Sequence, residues 1–238
     1  MRLKHLVPPP LRKTIEQRIN SRLFGLGYLT EKGWFEGSAT HQSLKDGKPV
    51  PWITYPAFEV LDRALRPDWR LFEYGTGNSS IWYASKVAEV IAVEHDPNWA
   101  AQVRSSAPAN LTVTLFEKVA PDVHGFGTDA FETYAQEPER YGPGYFNVFV
   151  VDGMARSRCA EVASEMIAPH GIIVWDNAER WQYNEGFAML GAKGWRRIDF
   201  YGPGPIQAYE WCTSIFARDL DWLPADLTIT EARRYPLR

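Results

Sequence analysis

Cysteine is scarce in this 238-residue chain: Cys159 and Cys212 are the only two, and they stand too far apart to share a metal-ligand spacing. A disulfide scaffold is thereby excluded. The pair suits a reducing compartment, with each thiol expected as a small buried hydrophobe. Long apolar runs are missing too. No stretch reaches the ~18 apolar residues of a spanning helix, so no membrane association is expected. The N-terminal decapeptide has basic residues but no apolar run before Pro8-Pro9-Pro10, so it does not read as a secretory signal, and a cytoplasmic location is expected. Charge of either sign is not in excess. The 26 basic and 29 acidic side chains leave a formal charge of −3, which does not favour a dedicated nucleic-acid binder. Internal repeats and low-complexity tracts are absent as well.

What is present is an ordinary globular balance, 45% hydrophobic and 23% charged. A chain of this length buries roughly 70–75% of its unfolded surface, so it needs no staple to hold a core. Residues 1–68 lack a strand–helix rhythm. Leu11 to Phe24 reads as a helix broken by Gly25 and Gly27. Residues 30–56 read as irregular, and Ala57 to Leu65 as a short helix stopped by Pro67. From residue 69 the rhythm changes. Strands are predicted at 70–74, 90–93, 111–116, 146–151, 171–175, 195–200 and 210–216. Helices are predicted at 79–87, 96–105, 159–167 and 178–190 between them. Strand–helix alternation predicts an α/β, doubly wound, mostly parallel seven-stranded sheet. The last connection, residues 201–209, is too short for a helical crossover, so the last strand is predicted antiparallel. The chain thus divides into an N-terminal helical and irregular extension, 1–68, as a candidate substrate cover, and a sheet domain, 69–238.

Chemistry gathers at predicted strand ends. Glu73-Tyr74-Gly75-Thr76-Gly77-Asn78-Ser79 follows an apolar strand, and its glycines permit a tight turn and close approach to a ligand. Glu94 ends the next strand, where an acid can accept hydrogen bonds from a ribose. Glu73 would repel a pyrophosphate and favour a cationic ligand. Asp152 and Asp176-Asn177 end two further strands on the same edge. Asp96 before Pro97 reads as a helix cap. His95 has either local hydrogen bonding or a cofactor contact, and His41 is a loop histidine or a base in a lid. The aromatic run Trp34, Trp52, Tyr55 and Phe58 belongs to the core or to the cover. Arg156, Arg158 and Arg180 lie near the acids, to pair with them or to grip an anionic substrate. The 201–209 loop is a second candidate substrate wall.

These strand-end acids and glycines resemble class I S-adenosylmethionine-dependent methyltransferases. Glu73, Gly75 and Gly77 match their first motif, Glu94 matches the acid after their second strand, and the short return at 210–216 matches their antiparallel edge strand. The likeness covers about residues 70–218, with Ser79 where many members carry a third glycine. It implies a Rossmann-like fold and S-adenosylmethionine as cofactor. Glu73, Gly75, Thr76, Gly77, Ser79, Glu94 and His95 would bind it, with Asp152 and Asp176 as catalytic groups near a small-molecule acceptor. A partial resemblance to catechol-type O-methyltransferases implies Mg²⁺ on Asp152, Asp176 and Asn177. Those enzymes usually carry a lysine base shortly after the first acid, where this chain has Arg156 and Arg158, which stay protonated. Otherwise Asp152 simply contacts cofactor or substrate. An NAD(P)-dependent oxidoreductase and a non-catalytic nucleoside-binding domain are the competing readings. The acceptor and the oligomeric state are not legible in the sequence.

Overall fold

A computed structural model of the chain describes residues 18, 25–116 and 131–224. The main sheet runs β1 (Arg70–Tyr74), β2 (Glu89–Glu94), β3 (Leu111–Leu115), β4 (Phe146–Val151), β5 (Ile167–Asp176), β6 (Arg196–Gly202) and β7 (Trp211–Ala217). Its spatial order is β3-β2-β1-β4-β5-β7-β6. β1 to β5 run parallel to one another, and β7 is antiparallel to both β5 and β6. The last strand is therefore antiparallel as expected but does not lie at the edge. It inserts between β5 and β6, and β6, exposed along most of its length, forms the edge. This is a Rossmann-like, doubly wound sheet.

Period-two alternation sorts the strand side chains between two unlike cores. One face carries Leu71, Val90, Ala92, Val148, Val150, Ile172, Val174 and Ile215. Against it pack α2 (Tyr55–Ala64), α3 (Asn78–Ala84) and α4 (Pro97–Ser105). The other face carries Phe72, Tyr74, Phe146, Phe149, Trp175 and Phe216. Against it pack α5 (Glu132–Gln136), α6 (Arg156–Met166) and α7 (Asn184–Ala192). The first core is mainly aliphatic and the second strongly aromatic. Both cysteines are buried and free.

Several boundaries differ from expectation. Leu11 to Phe24 lies almost wholly outside the described residues, and residues 25–31 are helical despite Gly25 and Gly27. Residues 30–56 are not irregular throughout. They contain α1 (Trp34–Thr40) and a two-stranded ribbon, Leu44–Lys45 with Lys48–Pro49, closed by Asp46 and Gly47 at φ 51° and 70°. An Asp-Gly pair at positive φ is a hairpin turn. α2 packs into the sheet's own core, so the extension is joined to the sheet domain. Ile167, expected in a helix, turns extended (φ −71°, ψ 146°) and opens β5. Residues 178–190 hold a short 3₁₀ turn, Trp181–Tyr183, before α7. The long 117–145 connection contains α5, while 117–130 lie outside the described residues.

The strand order reverses between β1 and β4, which opens a crevice at the carboxyl ends of these two strands. Trp34, Ser43 and Tyr55 of the N-terminal part reach this edge through specific contacts. The Trp34 indole donates to the Gln207 carbonyl at 2.8 Å, Tyr55 N–H to the Pro203 carbonyl at 2.8 Å, and Asn78 Nδ2 to the Ser43 carbonyl at 3.1 Å.

Candidate functional site

The crevice begins at the turn after β1. Gly75 has φ +98°, a region L side chains rarely adopt, and donates its N–H to the Val93 carbonyl at 2.9 Å. Facing it, Gly153 has no room for a side chain: a Cβ there would lie 2.1 Å from the Tyr134 hydroxyl and 2.9 Å from the Gly75 nitrogen. The two glycines bring the ends of β1 and β4 into contact. They leave a cleft of about 400 Å³ lined by Glu73, Gly75, Thr76, Ser79, Glu94, His95, Asp96, Trp99, Asp152, Gly153, Met154 and Arg156.

Acids dominate this cleft. Glu73 is fully buried; its Oε1 accepts from Ser79 Oγ at 2.6 Å and its Oε2 from Ser80 Oγ. Burial pushes its carboxyl up to about 8, against the pull of the two hydroxyls, so it is neutral at physiological pH. Ser80 Oγ also accepts from Gly77 N–H at 3.1 Å and pairs with Thr76 Oγ1 at 2.8 Å. The third-glycine departure thus supplies Ser79 as a partner for Glu73. Gly77 lines a smaller crevice next door, with Thr76, Ser79, Trp99, His41, Trp52 and Asp152.

Glu94 is the opposite case. Burial alone would raise its carboxyl, but the His95 ring, at 2.8 Å, and the backbone N–H groups of His95 and Asp96, at 2.7 and 2.9 Å, outweigh it. All three converge on Oε1 and hold Glu94 ionised below the usual carboxylate range. Asp96 does cap α4, accepting from Asn98 and Trp99 N–H at 2.8 and 2.9 Å, and it lines the cleft as well. The Trp99 indole donates to the Thr76 carbonyl, which lays this ring beside the glycine turn.

A second cavity, of about 230 Å³, lies across Asp152 from the first. Trp52, Asp152, Asp176, Asn177, Arg180, Gln207, Tyr209 and Trp211 line it. Asp176 is buried, and its Oδ1 accepts from the Trp211 indole at 2.9 Å and Thr213 Oγ1 at 2.5 Å. Burial, with the charge of Asp152, pushes its carboxyl up to about 7. Asp152 is raised too, by burial, with Arg156 and Arg180 pulling it back.

Arg156 knits the ends of β4 and β5 together. Its Nε donates to the Gly153 carbonyl at 3.0 Å, Nη1 to the Asp176 carbonyl at 2.5 Å and to Asn177 Oδ1 at 3.3 Å, and Nη2 to Asp152 Oδ1 and its carbonyl, both at 2.9 Å. Asp152, Asp176 and Asn177 consequently do not fit the Mg²⁺ site expected of them. Two of the three candidate ligands, Asp152 and Asn177, already face a buried guanidinium through Oδ1, and the other, Asp176, is engaged by Trp211 and Thr213. A dication placed there would meet Arg156 at close range. Arg158 also departs from expectation: it points to Glu132 and Glu161, at 2.6 and 2.7 Å, and belongs to neither cavity.

The expected site residues are therefore divided between two adjoining cavities. Glu73, Gly75, Thr76, Ser79, Glu94 and His95 lie in the first, Asp176 and Asn177 in the second, and Asp152 in the wall between them. Sequence reasoning did not pick out Trp99, Met154, Gly153, Trp211 or Thr213. Only Gly153, directly after a strand-end acid, carried a local signal.

No protein-family model and no curated protein matches this sequence. Solved structures similar to it include a putative O-methyltransferase from Klebsiella pneumoniae, at 16% identity and a TM-score of 0.49, covering 68% of this chain and 77% of that one. A precorrin-6y C5,15-methyltransferase from Geobacter metallireducens has 16% identity and a TM-score of 0.47, with 68% and 86% covered. A tRNA (m1A58) methyltransferase from Aquifex aeolicus has 12% identity and a TM-score of 0.48, with 71% of each chain covered.

Proposed function

We propose that the chain is a methyltransferase that moves a methyl group from S-adenosylmethionine to an oxygen or nitrogen of a small molecule. The observation that carries this reading is the charge of the first cleft. Glu94, held ionised, lines it with Asp96 and Asp152, Glu73 lies beneath them as a neutral carboxyl that a cation would ionise, and the one guanidinium among its described lining residues, Arg156, is consumed by strand-end partners. Such a lining repels the pyrophosphate of a dinucleotide and suits a nucleoside bearing positive charge, which disfavours the oxidoreductase alternative.

Glu94 would hold the ribose hydroxyls through Oε2, its Oε1 being fixed by His95 and Asp96. The turn at Gly75 and Gly77, with Glu73 beneath it, would take the methionine end. Glu73, neutral in the free protein, would ionise beside that cation. When bound, S-adenosylmethionine supplies an electrophilic methyl on a sulfonium, which keeps the bonding electron pair and leaves as a neutral thioether. Asp152, in the wall shared by both cavities, orients the acceptor and takes the O–H or N–H proton as the acceptor's lone pair bonds to carbon. It then returns that proton to water. Asp176, with a carboxyl near 7, is the second group able to accept a proton there. Alignment of acceptor and methyl across Asp152 is the main catalytic contribution of the protein. Residues 34–54 and the 203–211 loop would cover the pair.

Calorimetric titration with S-adenosylmethionine and with NAD tests the reading. The methyl donor is expected to bind, and Glu94→Gln to weaken it roughly 10–100-fold, the worth of hydrogen bonds to a charged acceptor. NAD binding without donor binding would reject it. Donor binding that Glu94→Gln leaves unchanged would reject the ribose assignment.

A further inference from the structure

We infer that the second cavity takes a flat acceptor carrying a carboxylate, with that carboxylate held by Arg180. The inference rests on the donor reading of the first cleft and names the acceptor class for the same site. Three features of the cavity support it.

The first is the state of the two arginines near the acids. Arg156 is spent on five contacts and its side chain is nearly buried. Arg180 is the one base among the described residues lining the second cavity, and its side chain is 44% exposed. Its ion pair with Glu179 runs through Nε at 3.7 Å, beyond hydrogen-bond range. Glu179 does not follow Arg180, because its Oε2 accepts from Cys212 N–H at 3.0 Å and ties it to β7. The guanidinium fork therefore lines the cavity with no side-chain hydrogen bond among the described residues, drawn by the charge of Asp152 across that space, and a fork matches a carboxylate's two oxygens.

The second is the wall. Trp52, Tyr209 and Trp211 give the cavity three aromatic sides, and Trp52 and Tyr209 stay 40% and 60% exposed. Large flat rings left open to water next to a charged fork fit a ligand with a flat apolar body and one charged end.

The third is the acids. Asp152 and Asp176 line the same space. A doubly charged phosphate would be repelled by them more strongly than a singly charged carboxylate. The same acids fix the orientation. With its carboxylate at Arg180, the acceptor turns its opposite end to Asp152 and the donor cleft. The reacting hydroxyl or amine should therefore lie across the ring from the acid group.

The full chain, titrated with 4-hydroxybenzoate, 4-hydroxybenzamide and phenyl phosphate by ligand-observed NMR, tests this. The acid is expected to bind about tenfold or more tightly than its neutral amide. Arg180→Gln should bring acid and amide to within about threefold of each other, and Trp52→Ala should weaken both together. Thermal unfolding of each variant checks that it is folded. Equal affinity for acid and amide overturns the inference. So do tighter binding of phenyl phosphate, a preference for the acid that survives Arg180→Gln, and no binding of any probe up to about 10 mM. A separate titration with S-adenosylhomocysteine keeps the two readings apart: its failure counts against the donor cleft, while the acid–amide comparison in the free chain counts for or against Arg180.

Discussion

Arg156 donates from Nη2 to the Asp152 carboxylate at 2.9 Å, and through this pair a cation is built into the corner where the partial resemblance places a metal. The same side chain grips the Asp176 carbonyl and the Asn177 amide, so one residue sets the spacing of β4 and β5 at their carboxyl ends.

Arg156→Met should therefore act on stability as well as on the site. It strips Asp152 of its partner and frees the carbonyls of Asp152, Gly153 and Asp176. Breaking a buried pair from one side costs about 3–5 kcal/mol; the lower end applies here because Asp152 keeps 30% of its side chain exposed. Urea unfolding should show a lower midpoint with an unchanged slope. Arg156→Lys should recover only part of the loss, since an ammonium cannot reproduce the fork.

Glu73 predicts a proton count. With its carboxyl raised to about 8, it carries a proton at pH 7 in the free protein. A bound cation favours the ionised form, so binding S-adenosylmethionine at pH 7 should release up to about one proton. Adenosine, which has no positive charge, should release none. Calorimetry in buffers of different ionisation enthalpy measures this, and Glu73→Gln should abolish the release. The linkage sign for the free chain follows the same shift. A carboxyl raised from 4.5 to about 8 contributes stability below its unfolded value and loses it as pH rises through 8.

Gly153→Ala should be poorly tolerated. The added methyl meets the Tyr134 hydroxyl and the Gly75 nitrogen, and neither neighbour is a flexible side-chain tip in open space. Overpacking of about 1–3 kcal/mol is expected, read as a lower melting temperature, together with weaker donor binding because the β1 turn must shift.

Trp211→Phe should move a pH profile. The indole N–H lowers the Asp176 carboxyl, which burial nonetheless raises to about 7. Its loss raises that value, so an acidic limb of kcat governed by Asp176 should shift upward by up to about one unit. An unmoved limb would remove Asp176 from the proton path.

Much of this was legible because it is local. Val90-Ile91-Ala92-Val93 and Phe146–Val151 announce buried parallel strands, and the glycine turn and strand-end acids follow them directly. The antiparallel sense of the last strand followed from a connection too short for a crossover. Its place between β5 and β6 did not, because strand order depends on which faces pack, and nothing in residues 210–216 encodes a neighbour. The fate of Asp176 was hidden for the same reason. Trp211 and Thr213 reach it only through the β5–β7 register, in which Asp176 lies opposite Thr213. Arg156 and Arg158 look alike in sequence, yet helix geometry turns one to the strand ends and the other to Glu132. Asp46-Gly47 was readable as a hairpin but stood in a stretch whose Gly, Pro and Trp content masked it.

Arg180, Gln207 and Tyr209 line the second cavity and take no part in the first, whereas Asp152 serves both. On the proposed reading, acceptor preference can drift, or be re-engineered, by exchanging those three side chains while the grip on the donor stays intact. Asp152 is the position where such freedom would end, because any change there alters the lining of both cavities at once.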